Sequence, residues 1–213
     1  MAKGGWKLGF NKSGAKLSIN ELKKGSLGGN DLFGSVNLGL FINHGSYGTS
    51  LDYHSFASQT KQTYFSSDNP ADASAPWIAL GEFGFGGGNL RWMAILACNS
   101  LQDGAYQSML NKGVLPLQDG NHIICGLTTV GAVGEEIGEF WAKNMLGNFF
   151  TSPKKVKDAW FDAGREQYSF ATNLTDTIVF RACGWEDCMD DKLNSYSTTT
   201  SGDIVKEDSP VYP

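Results

Sequence analysis

Residues 36–46 read VNLGLFINHGS and residues 90–100 read LRWMAILACNS, and the fold follows from what these two blocks share. Each is a short run of branched or bulky residues, largely apolar at successive positions, that ends in small polar residues. A strand that alternates apolar and polar covers one face of a sheet, whereas a run apolar on both alternating faces is buried on both. Residues 122–130 (HIICGLTTV) and 177–183 (TIVFRAC) have the same character. The pattern predicts buried strands over 36–43, 90–97, 122–130 and 177–183 in a parallel sheet covered by helices. Residues 6–10 form a candidate for a further strand.

Helix signals lie between these blocks. Ser18-Ile19-Asn20-Glu21 reads as a capping box opening a short helix that Gly25 ends. Residues 105–112 read as a helix stopped by Gly113. In 135–146, Ile137, Phe140, Trp141 and Met145 fall at helical spacing, with Glu135 and Glu136 in the first turn where the helix dipole favours acids. Ser152-Pro153 reads as a cap followed by proline at the first helical position, with Val156, Ala159, Trp160 and Ala163 as one apolar stripe behind it. Strands alternating with helices make this an α/β layer fold. Residues 47–88, rich in Ser, Asn, Asp and Gly, are expected as a hairpin or long loops. Residues 1–188 are read as a single domain, and 189–213 as a polar C-terminal extension, an extended arm or a mobile end.

Composition narrows the function classes. The 41% hydrophobic content supports a substantial core, and net charge of −5 argues against nucleic acid, whose phosphates need a clustered basic surface. No run approaches the roughly 18 apolar residues of a membrane-spanning helix. Residues 1–6 lack the apolar core of a signal peptide, so the expected location is the cytosol, or the outside after removal of a leader. Cys183 and Cys188 are close enough for a local bridge. Neither CxxC spacing nor a nearby histidine gives them a zinc signature, so no metal and no cofactor is expected. Cys125, inside a strand block, reads as core.

In open parallel sheets, ligands bind at the carboxyl ends of the strands. The first block ends Asn43-His44-Gly45-Ser46 and the second ends Ala97-Cys98-Asn99-Ser100. A histidine and a cysteine thus leave two buried strands at one edge. A free thiol has a pKa of about 8.5 and needs a base to become a nucleophile at neutral pH. An imidazole supplies it and later protonates the leaving amine. Gly45, with no side chain in the way, and Cys98 are the candidate backbone N–H donors for an oxyanion. Asn99, Asp103, Thr128 and Thr129 are candidates to line the substrate pocket, together with Glu135 and Glu136. An acid there would suit a basic substrate side chain, although both glutamates also fit as helix-start residues. His54 is a rival base. The glycines of 81–88 miss the register of a dinucleotide loop and read as a flexible loop. Asn11-Lys12-Ser13 and Asn173-Leu174-Thr175 match the glycosylation triplet.

An apolar strand followed by His-Gly-Ser, and a later one followed by Ala-Cys, resembles the caspase, gingipain and legumain clan of cysteine peptidases. More closely, the chain is similar to a bacterial and archaeal family of caspase-like domains of unknown function. The stretches that carry the resemblance are 5–11 (GWKLGFN), 38–46 (LGLFINHGS), 89–101 (NLRWMAILACNSL), 122–131 (HIICGLTTVG) and 156–164 (VKDAWFDAG). It implies a three-layer α/β/α sandwich with a mostly parallel central sheet, a Cys98–His44 dyad, and hydrolysis of peptide bonds in a peptide or protein substrate. Leu96 stands where peptidases of the clan often carry an acid or glutamine. The alternative reading is therefore a catalytically silent binding or assembly module, with a second copy of the chain as a candidate partner. The same dyad would also serve an amidase or transpeptidase.

Overall fold

The computed structural model describes residues 6–13, 16–49, 61–66, 77–85, 89–111, 117, 120–131, 134, 136–148, 150–169 and 176–212. His54, Glu135, the 173–175 triplet and residues 86–88 and 112–113 lie outside them.

The four apolar blocks all become strands: β1 (Leu38–Ile42), β5 (Trp92–Leu96), β6 (Ile123–Leu127) and β7 (Ile178–Trp185). With β8 (Ile204–Val211) they form one open five-stranded sheet in the order β1-β5-β6-β7-β8. The pairs β1–β5 and β5–β6 are parallel, and β6–β7 and β7–β8 are antiparallel. The sheet is thus mixed: the expected mostly parallel sheet holds from β1 to β6, and the parallel order ends at β7. Two helices, α3 (Glu136–Leu146) and α4 (Val156–Tyr168), stand between β6 and β7. One helix would return the chain to the start of the sheet for another parallel strand. The second carries it back to the carboxyl end, so β7 runs the other way.

The tail read as a polar extension belongs to this sheet. Its β8 pairs with β7 over the whole strand, from Ile178↔Val211 to Trp185↔Ile204. It escapes an apolar-run search because it is an edge strand with half of its residues exposed, Lys206, Glu207 and Asp208 among them.

Alternate residues of β5 serve two cores. Trp92, Ala94 and Leu96 join Ile137 and Trp141 of α3 and Val156, Ala159, Trp160 and Ala163 of α4 on one face. Met93 and Ile95 join Phe33, Phe83, Phe85 and Tyr106 on the other, with Ile19 and Leu22 of α1 (Ile19–Leu22). The capping box at Ser18 is made: Ser18 Oγ accepts from Glu21 N–H at 3.4 Å and Glu21 Oε2 accepts from Ser18 N–H at 3.1 Å. α1 is a single turn that closes at Leu22, before Gly25.

Other local expectations shift. α4 starts at Val156 rather than Pro153, because Lys154 N–H donates to Asn144 O (3.1 Å) and Val156 N–H to Asp191 O (2.8 Å), holding 153–155 out of the helix. Residues 6–10 form no strand: Trp6 packs on Trp92 while Phe10 packs on Phe33, so the segment straddles the β1 edge with one ring on each face. The glycine-rich stretch read as flexible buries Phe83 and Phe85. A second sheet, all antiparallel, is made by β2 (Gly45–Thr49), which starts two residues before the expected 47–88 segment, with β3 (Lys61–Ser66) and β4 (Trp77–Ala79) inside it. Among the described residues, no helix is long and apolar enough to cross a membrane.

Candidate active site

β1 and β5 are adjacent, parallel and in register, ending on the pair Ile42↔Leu96. Two residues further along each strand stand His44 and Cys98. The parallel pairing delivers both to one edge of the sheet. Asn43 N–H donates to Leu96 O at 3.2 Å, which carries the strand contact one residue past the pair. Asn43 Oδ1 then accepts from His44 N–H at 2.7 Å, where the chain turns into β2.

The loop carrying Cys98 is fastened to the end of β6. Asn99 sits at a left-handed φ of 56°. Its N–H donates to Thr129 O (3.0 Å), and Leu101 N–H donates to Leu127 O (2.8 Å). Ser100 is fully buried. Its hydroxyl donates to Ile95 O (3.0 Å) and accepts from Leu127 N–H (2.8 Å). The β5–β6 register ends at Ala94↔Cys125, so Ser100 bridges the two strands where their own ladder has stopped. Gly126 makes room for it: a Cβ there would lie 2.5 Å from Ser100 Oγ.

Gly45 lies against the Cys98 backbone. A Cβ at position 45 would sit 3.1 Å from both Cys98 N and Ala97 Cβ, and would overlap the Cys98 carbonyl oxygen. The two candidate oxyanion donors are therefore neighbours. Among the described residues, the Cys98 N–H meets no backbone acceptor.

All four cysteines are unbridged, and Cys98 alone is partly exposed. Cys183 and Cys188 belong to the cores on opposite faces of the sheet, which rules out the local bridge that their spacing allowed. Burial pushes the Cys183 and Cys188 thiols up to about 12 and Cys125 well above its ordinary value. The Cys98 thiol donates to Gly131 O at 3.5 Å. The His44 ring is exposed, and among the described contacts no hydrogen bond joins it to the thiol.

Two neighbours of the thiol have no signal in the sequence. One is Gly131, whose carbonyl receives it. The other is Tyr168, at the end of α4: its phenol oxygen lies 3.4 Å from where a Gly131 Cβ would be. Burial, and secondarily charge on Cys98, raises this phenol to about 12, so it stays protonated. The helical stripe of α4 was legible, but not the end of the sheet that its last turn reaches.

Of the candidate pocket residues, Asn99 lies in the Cys98 loop, and Thr128 and Thr129 follow β6, where Thr129 O receives the Asn99 N–H. Thr128 N–H donates to Val179 O (3.0 Å), and Thr129 Oγ1 accepts from Val179 N–H (3.1 Å). Asp103 is paired within the fold. It opens α2 (Asp103–Asn111), where its carboxylate accepts from Arg181 Nη1 at 2.7 Å and from Lys206. Those bonds hold it below the usual carboxylate range, Lys206 contributing most and Arg181 next. Its charge is matched within the fold and does not call for a basic substrate. Glu136 is exposed at the start of α3.

Residues 1–209 match the family model described as Domain of unknown function (DUF6345). The chain belongs to the DUF6345 family. Searches of curated proteins and of solved structures return no match. For this DUF6345 chain, then, the case for an activity rests on its own geometry: one accessible thiol, one imidazole from the neighbouring parallel strand, and backbone donors beside them.

Proposed function

We propose that this DUF6345 protein is a cysteine endopeptidase with a caspase-like three-layer α/β/α fold, in which Cys98 is the nucleophile and His44 the general base. The observation that carries the reading is the in-register parallel pairing of β1 and β5, with histidine and cysteine each two residues beyond the pair Ile42↔Leu96. The exposure of Cys98, against three buried thiols, supports it.

In this mechanism the His44 imidazole takes the thiol proton and the thiolate attacks the scissile carbonyl carbon. The Cys98 and Gly45 N–H groups receive the oxyanion. The imidazolium then protonates the leaving amine, and water hydrolyses the thioester. Substrate entry breaks the thiol's bond to Gly131 O, and the exposed imidazole has the freedom to close on the sulfur. Catalytic hydrogen bonds are often formed only in the complex.

A second reading, a catalytically silent binding or assembly module, is favoured by the same thiol donating to Gly131 O and by Leu96 at the position before Ala97. Incubation with a diverse peptide library separates the two. The endopeptidase reading expects cleavage by the wild type and none by Cys98→Ala or His44→Ala. A folded wild type with a free Cys98 thiol that cleaves nothing would favour the silent module, as would a stable higher-order assembly by light scattering.

A further inference from the structure

At the opposite end of the sheet, before the first residues of β5 and β6, a second group of side chains converges. His122, Cys188 and Asp191 are all buried, and one ligand-capable atom from each lies within 4.8 Å of the others. His122 directly precedes β6. Cys188 and Asp191 lie just after β7, in a turn closed by Asp191 N–H donating to Cys188 O at 2.9 Å, and their spacing is that of a two-ligand metal knuckle. We propose that His122 Nδ1, Cys188 Sγ and the Asp191 carboxylate form a binding site for a zinc-like divalent transition-metal ion.

The chemistry of the donors favours this ion class. Imidazole, thiolate and carboxylate are the nitrogen, sulfur and oxygen ligands of zinc, and three protein ligands leave the fourth tetrahedral position to water. A dication held by one thiolate, one carboxylate and a neutral imidazole forms a buried group of zero net charge. Outer partners that orient a ligand are already in place. Trp92 Nε1–H donates to Asp191 Oδ2 at 2.9 Å and Ser197 N–H to Asp191 Oδ1 at 2.8 Å.

In the ion-free arrangement, His122 Nδ1 and Asp191 Oδ2 share a proton at 2.6 Å, and the Cys188 thiol donates to Thr199 O at 3.5 Å. The ion takes the place of the shared proton. The shared proton moves to Nε2 of the imidazole and frees the Nδ1 lone pair for the ion, the thiol proton leaves to solvent, and the Nδ1–Oδ2 pair opens by about 1 Å to reach a tetrahedral edge of roughly 3.5 Å. The site would fasten the turn after β7 to the strand ends, so metal would also raise the melting temperature.

Cobalt(II) titration of the full chain carrying Cys98→Ala tests this, because the exposed thiol is then absent. The proposal expects a thiolate-to-cobalt absorption in the near ultraviolet that saturates at one equivalent and is displaced by zinc. Cys188→Ala should abolish the band, and Asp191→Asn should weaken cobalt binding at least about tenfold. A folded Cys98→Ala chain with no such band overturns the proposal, as does a band that survives Cys188→Ala. Should Cys188→Ala fail to fold, histidine NMR of the Cys98→Ala chain decides: zinc must shift the His122 ring signals, and unshifted signals overturn the site. Peptide cleavage by the wild type bears on neither outcome.

Discussion

Replacing Ser100 by alanine removes one oxygen and leaves two backbone groups without partners. The hydroxyl bridges Ile95 O and Leu127 N–H inside the sheet, at 3.0 and 2.8 Å, in a position with no solvent exposure. A neutral hydrogen bond contributes about 1 kcal/mol net, but a buried donor left unmade costs about 1–3 kcal/mol. A carbonyl with a second lone pair is less costly. The expected loss for Ser100→Ala is therefore about 2–3 kcal/mol, or a fall of about 4–12 °C in Tm for a domain of this size. Urea denaturation with an unchanged m-value and a lowered midpoint is the assay. Ser35→Ala, which loses one exposed bond to Leu32 O at 2.7 Å, is the control and should stay within about 0.5 kcal/mol of wild type. If Ser100→Ala unfolds as late as Ser35→Ala, the hydroxyl does not hold the Cys98 loop to β6 and the clamp is wrong.

Gly45→Ala should slow alkylation of Cys98 and any peptide cleavage, the latter about a hundredfold, because its Cβ, overlapping Cys98 O, would push the His44 turn off the Cys98 backbone by about 1 Å, a misplacement that catalytic geometry does not tolerate. Gly138→Ala is its counterpart: the added Cβ meets only the Leu40 Cδ2 tip, at 2.5 Å, and should leave both readouts near wild type. Acid should destabilise the fold through Asp103, Asp190 and Glu21, whose carboxyls are lowered by Lys206 with Arg181, by Lys155 and by Lys12. A lowered folded-state value means stability fully present above the ordinary carboxylate range near about 4 and lost as pH falls through the lowered values. Urea midpoints should thus hold from pH 7 to about 5 and decline below that, with a shallower decline in Asp103→Asn; equal slopes would show that the Asp103 pairs contribute nothing.

The sequence shows the candidate site better than it shows the sheet that carries it. His44 and Cys98 are legible because each ends an apolar run: β5 is buried on both faces and β1, at the sheet edge, fully on one, and apolar strands of that kind pair in parallel. The direction of β7 was not legible, since it depends on whether one helix or two cover the return. β8 was not legible because an edge strand with a charged, exposed middle (Lys206, Glu207, Asp208) has no continuous apolar signature. Gly131 and Tyr168 reach the thiol through the end of β6 and the last turn of α4, contacts that no local pattern encodes. The same holds for His122 and Asp191, which meet across 69 positions of chain. The partners of Asp103 are illegible for a related reason. Its partners Arg181 and Lys206 lie on β7 and β8, so its charge looks free in the sequence and is matched in the fold.

The most direct test of the paired-strand site is the rate at which Cys98 takes up a limiting alkylating reagent at neutral pH, in wild type and in His44→Ala. Cys98 should be modified first, with Cys125, Cys183 and Cys188 silent until unfolding, and His44→Ala should slow it about tenfold or more. Equal labelling of all four thiols, or a rate unchanged by His44→Ala, would contradict the account.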